Sequence, residues 1–276
     1  MLKEDKLLTV IVVITHGEIK LTNLRKLLTT EGLRKVPEIT VFFWIIKLLT
    51  TAMGESTSDY LVHQIDPVIA VILGAIGFGI AIVLQFWVRK YIAWVYWLAV
   101  TMVAVFGTMA ADVVQIVLGV PYWLSTISFA IALTVIFIVW HKTERTLSIH
   151  SIFTPRREIF YWLAVVTTFA LGTAAGDMTA ITLRLGYLTS GILFAVLFGI
   201  PLAAYGLLGA YEVGTFWAAY IFTRPLGASF ADWFGRTPNL GGIGFGTGRT
   251  ALVLTLFIIF FVLYLTVTHK DIKNQR

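Results

Sequence analysis

The chain has 276 residues, of which 58% are hydrophobic, 14% aromatic and 13% charged, with a net charge of +6 and a mean hydropathy of +0.86. A soluble domain carries about 25% charged residues, so this composition excludes an ordinary soluble enzyme, and disorder, collagen and coiled coil with it. Cysteine is absent, which excludes disulfides, thiolate metal sites and thiol catalysis.

Residues 1–35 are charged and mixed, with Lys3, Glu4, Asp5 and Lys6 ahead of a short apolar run from Leu7 to Thr15. That run is too short to span a membrane, and it lacks the small-residue cleavage site of a signal peptide. The segment reads as a cytosolic N-terminal extension, of strand–turn–amphipathic helix type. From Val36 onward the apolar runs predict eight spans, at about 38–60, 67–88, 92–115, 122–140, 159–181, 187–208, 213–234 and 250–268. Each approaches the ~20 residues that a tilted helix needs to cross ~30 Å of hydrocarbon. Long apolar runs that must satisfy their own backbone in lipid select helices.

Lysine and arginine set the orientation. With both termini inside, sixteen of them face the cytosol and only Arg184, Arg236 and Arg249 face out. Both termini are therefore expected to be cytosolic. The basic excess serves topology, so no nucleic-acid partner is expected. Lys47 and Arg224 alone fall within spans.

A repeat organises the membrane part. Trp44, Trp97, Trp162 and Trp217 each follow an aromatic residue: Phe43, Tyr96, Tyr161 and Phe216. Ten residues after each Trp stands a glycine: Gly54, Gly107, Gly172 and Gly227. A small residue follows four positions on (Ser58, Ala111, Gly176, Ala231), and then an aspartate (Asp59, Asp112, Asp177, Asp232). With nine Trp and seven Asp in the chain, this fourfold register is not accidental. Each repeat holds two spans, A and B. An even number inserts every repeat the same way up, so the four are parallel and related by an axis along the membrane normal. The predicted fold is all-α: eight transmembrane helices in four parallel two-helix repeats, at about 36–90, 91–145, 156–210 and 211–270.

The four aromatic–Trp pairs, Val36-Pro37-Glu38, Gly-Thr at 107–108 and 172–173, and Thr223-Arg224-Pro225-Leu226-Gly227 resemble a bacterial family of polytopic membrane proteins built from a tandem repeat of unknown function. The resemblance covers about residues 36–270. It implies the fold and a place in the bacterial cytoplasmic membrane, and it carries no activity.

Chemistry must come from the residues. Small residues one turn apart let helices approach closely in lipid, so Gly54, Gly107, Gly172 and Gly227 are expected to pack the A helices together. The aromatic–Trp pairs fit interface anchoring and core packing. A carboxylate in a span costs about 2.5–3.5 kcal/mol, and its repetition at four matched depths points to a site. Glu55 adds a fifth acid, with Thr108 and Thr173 at the equivalent positions. Against five acids, Lys47 and Arg224 offer two positive charges for pairing or gating, and the remainder requires protons, metal or water.

Carboxylates and hydroxyls are hard donors, suited to Mg²⁺, Mn²⁺, Ca²⁺, Na⁺ or H⁺. The expected ion-binding and metal-ligating set is thus Asp59, Asp112, Asp177, Asp232 and Glu55, with His63 as a possible neighbour. The glycine-rich run Gly241–Arg249 has no Walker lysine and no dinucleotide fingerprint, and it reads as an outer loop. No cofactor and no enzymatic activity are expected. The partners are the lipid bilayer, a hard cation and protons. The expectation is a secondary transporter, a divalent-metal exporter with Mn²⁺ as first guess, coupled to protons or the membrane potential. A passive cation channel and a small-organic-ion carrier are the alternatives.

Overall fold

The computed structural model describes residues 34–272. The strand–turn–helix expectation for the N-terminal extension lies outside these residues, apart from Arg34 and Lys35. Eight long helices follow: α1 (Val41–Gln64), α2 (Pro67–Trp87), α3 (Ala93–Asp112), α4 (Tyr122–Glu144), α5 (Pro155–Asp177), α6 (Gly186–Leu208), α7 (Glu212–Gly235) and α8 (Thr247–Thr268). No strand occurs among the described residues. Six of the eight are long and apolar enough to cross a membrane. The other two, α1 and α7, carry the charges Lys47, Glu55 and Asp59 and the charges Glu212, Arg224 and Asp232.

Local signals fix the helix starts. Thr40 caps α1, its hydroxyl accepting from the Phe43 amide at 3.3 Å. Pro37 lies before this cap, so the helix begins three residues later than the apolar pattern predicts. Asp66 accepts from the amides of Val68 and Ile69 at 2.9 and 3.2 Å, with Pro67 in the first turn of α2. Thr154 and Pro155 start α5 in the same way, because a missing N–H costs nothing there. Immediately after Asp112 and Asp177, α3 and α5 pass into π-helical turns, Val113–Val117 and Met178–Thr182. No π turn follows Asp59 or Asp232.

The first helices of the four repeats form a closed ring in the order α1, α3, α5, α7 and back to α1. The second helices stand outside it. Each packs chiefly on the first helix of the next repeat: α2 on α3, α4 on α5, α6 on α7, and α8 on α1. Helix pairs within a repeat are therefore not the packing unit. The repeats interlock, and the last closes on the first.

Burial follows this division. The inner helices are filled with buried Ala, Val, Gly and aromatic residues. The outer ones turn rows of branched aliphatics outward, as at Ile72, Ile76, Ile80 and Val83 of α2, each more than half exposed. In lipid such a face is at home, because acyl chains are as apolar as Leu.

The glycine of each repeat closes the ring at one contact. A methyl added at Gly54 would meet Ala104; at Gly107, Phe169; at Gly172, Arg224; at Gly227, Thr51; all approach below 3.0 Å. These four partners share one register position, eight residues after the first aromatic of each repeat. The contact is thus the same one made four times.

Candidate functional site at the ring axis

Taken every fourth residue, the inner helices stack layers along the axis. The first layer is Phe43, Tyr96, Tyr161 and Phe216. The second is Lys47, Val100, Val165 and Tyr220, and the third is Thr51, Ala104, Phe169 and Arg224. The fourth is Glu55, Thr108, Thr173 and Ala228, and the fifth holds the four aspartates. All residues of the first four layers are buried. The first layer closes on itself: Phe43 lies 5.9 Å from Phe216, ring to ring, and the Tyr96 and Tyr161 hydroxyls share a hydrogen bond of 2.5 Å. At the other end Arg236 bridges two fifth-layer residues, 3.2 Å from Asp59 and 2.8 Å from Asp232. The inner helices are therefore parallel, and the aspartates share one end.

Arg224 fills the axis at the third and fourth layers. It is fully buried. Nη2 lies 2.6 Å from Glu55 Oε2 and 2.8 Å from the Thr173 hydroxyl, and it also meets the Thr108 hydroxyl; Nη1 donates to the Thr51 carbonyl at 3.1 Å. The two hydrogens of Nη2 thus serve three oxygens from three different repeats. The guanidinium plane also stands over Phe169, 5.3 Å from the ring centre. Arg224 reaches these partners because α7 approaches α5 over Gly172, where a methyl would meet the Arg224 side chain.

Lys47 departs from the sequence expectation of ion pairing. Its ammonium sits 4.1 Å from the centre of Phe169 and 4.0 Å from that of Tyr220, and it has no hydrogen-bond partner. The reason is register. Lys47 lies eight residues from Glu55, about 12 Å along a helix, so the acids are out of reach and aromatic faces take the charge.

At the aspartate end the sequence reading missed Arg236. Its Nε donates to Asp232 Oδ1 at 2.8 Å and its Nη2 lies 3.2 Å from Asp59 Oδ2. Burial opposes the charge, but Asp232 and Asp59 outweigh it and raise the guanidinium pKa above its ordinary value. The signal was present: Arg236 follows Asp232 by four residues, one helical turn. Counting it with the outer loop hid it. Asp112 and Asp177 stand half-buried on the other side of the ring, where the π turns begin. Glu55 stands one layer below the aspartates, one helical turn before Asp59.

The five acids expected as metal ligands do not form a cage in this arrangement. Among the described residues no three His, Asp or Glu side chains come close enough to hold a metal ion. Arginines occupy the places between them: Arg224 takes Glu55, and Arg236 takes Asp59 and Asp232. His63 spends a ring nitrogen on the Asp59 backbone carbonyl, at 2.6 Å, rather than on a carboxylate cluster. The charge balance is also smaller than the sequence suggests, because Arg236 joins Lys47 and Arg224 and leaves a deficit of two.

Three of the four tryptophans of the repeat, Trp97, Trp162 and Trp217, are buried, while Trp44 is half-buried against Phe198 and Phe216. They pack the ring wall, and Trp217 donates to the Leu147 carbonyl at 2.9 Å. No curated protein and no solved structure matches this chain. The family model described as Repeat of Unknown Function (DUF347) matches it four times in tandem, over residues 42–91, 95–146, 160–211 and 215–271. Each match opens one residue before an aromatic–Trp pair and takes in one inner helix and the outer helix that follows; four copies close the ring, and the chain belongs to this family.

Proposed function

We propose that the protein is a secondary carrier of a small hard cation in a bacterial cytoplasmic membrane, with both termini on the cytosolic side. The observation that carries this reading is Arg224. A buried guanidinium, bonded to groups from three repeats, stands across the axis just below a ring of four aspartates. A continuous water path, as a passive channel needs, is incompatible with that plug, whereas a carrier requires an occluded centre. Arg224 and Arg236 act as internal substitutes for the cation. An entering ion draws Asp59, Asp232 and then Glu55 away from their arginines, and the hydroxyls of Thr108 and Thr173 supply further hard donors. The energy source is an ion gradient, with protons exchanged at the crowded carboxylates.

The cage around Lys47 favours a second reading, an organic-amine carrier, because the ring already holds an ammonium between Phe169 and Tyr220. Flux into proteoliposomes decides between them, with Mn²⁺, Mg²⁺, Ca²⁺ and methylammonium as probes under an imposed pH gradient. The carrier reading expects saturable uptake of one metal ion, lost in Asp112→Asn and Asp177→Asn. Saturable methylammonium uptake without metal flux selects the amine reading. Ohmic current, or no flux of any probe, overturns both.

A further inference from the structure

Residues 34–40 precede α1, and their contacts trace a path across the non-aspartate end of the ring. The Arg34 carbonyl accepts from the Tyr91 amide, just before α3, at 2.8 Å. The Lys35 amide donates to the Ile152 carbonyl, just before α5, at 3.0 Å. Glu38 donates its amide to the carbonyl of Asp271, beyond α8, at 2.9 Å. The chain then enters α1. Since α1 and α5 are opposite members of the ring, the stretch from Lys35 to Val41 must cross its end. Neighbouring helices stand 8–10 Å apart, so the diagonal is about 14 Å. Six extended residues reach about 20 Å. Val36 is 3% exposed and belongs to the same buried cluster as Phe43, Tyr96 and Tyr161. The segment is therefore packed into the buried core at this end of the ring.

One polar network holds this segment down. Lys35 Nζ pairs with Glu158 Oε2 at 2.6 Å and donates to the Phe86 carbonyl at 3.2 Å. Gln85 Nε2 bridges Glu158 Oε1 at 3.1 Å and the Lys35 carbonyl at 3.4 Å. Glu158 has no exposed surface and Gln85 has 1%. A buried ion pair adds little net stability over an apolar contact, but losing one partner is costly, which suits a contact that is made or broken as a whole.

We infer that residues 34–40 are a strap closing the non-aspartate end of the ring, latched by Lys35 and Glu158, and that this strap lifts when the carrier opens to that side. The inference rests on the carrier reading for its role in transport, but the strap's own movement is measured independently. The chain lacks cysteine, so Val36→Cys places a single reactive thiol on the buried face of the strap. Maleimide labelling of this variant in proteoliposomes is expected to be slow. It should rise at least tenfold when Glu158→Gln, or as a second variant Lys35→Met, breaks the latch. Joining Val36→Cys to Ile152→Cys by a disulfide should stop cation flux, and a reductant should restore it. Equal labelling with the latch intact and broken overturns the inference, as does full flux through the cross-linked protein. If the unmodified protein moves no cation, the carrier reading falls, and labelling alone decides whether the strap opens.

Discussion

Replacing Arg224 by Gln strips the ring axis of its central donor. Among the described residues, Glu55 has Arg224 as its hydrogen-bond partner, whereas Arg224 also holds the Thr51 carbonyl, two threonine hydroxyls and the Phe169 face. Losing the arginine leaves a buried, unpaired carboxylate, a loss of about 3–5 kcal/mol. Losing the carboxylate instead, in Glu55→Gln, leaves the guanidinium with most of its contacts and should cost less, about 1–2 kcal/mol. The double variant restores neutrality. It is expected to recover about 2 kcal/mol relative to the sum of the single changes, within the range found for residues in one network. Thermal unfolding in mild detergent reads this cycle, and Arg224→Gln should fall by about 10 °C for a chain of this size. Single variants within about 0.5 kcal/mol of the parent, or an additive double variant, would refute the account of the axis.

Gly227→Ala sets a methyl against Thr51 and 2.9 Å from the Ala52 amide nitrogen, and should cost about 1–3 kcal/mol by overpacking. Gly79→Ala on an outer helix, with nothing within 4 Å, should be neutral or stabilise by up to about 1 kcal/mol; equal unfolding midpoints for the two variants would contradict ring closure at the glycines. Lys47→Met keeps the length of the side chain and removes an ammonium without a hydrogen-bond partner. Cation–π contacts of about 0.5–2 kcal/mol are lost while the burial cost of the charge disappears, so stability should stay level or rise, and a fall above about 2 kcal/mol would mean that Lys47 has an anionic partner. Arg236→Gln frees Asp59 and Asp232 and should lower the KM of cation uptake about fivefold, the equivalent of a partly exposed ion pair of about 1 kcal/mol. An unchanged or higher KM would show that Arg236 does not compete with the ion.

The amino-acid sequence by itself determined the helices and their symmetry. Apolar runs of membrane length, Pro67 and Pro155 at helix starts, and a glycine and aspartate at one spacing after each aromatic–Trp pair are local properties. They survive in any arrangement that keeps the chain in lipid. The same register foretold that the aspartates share one end and that glycines bring the inner helices together. Partner choice was not legible, because it depends on which helix stands beside which. Only the closed ring shows that each outer helix packs on the next repeat, since an apolar face carries no address. Only the ring sets Arg224 against Glu55 while leaving Lys47, on the same helix as Glu55, among aromatic rings two layers away. Arg236 looked like a loop charge until the end of α7 placed it between Asp232 and Asp59. Lys35, in sequence one more basic residue of a tail, is buried against Glu158, because residues 123 positions apart in the chain meet where the strap crosses from α5 to α1.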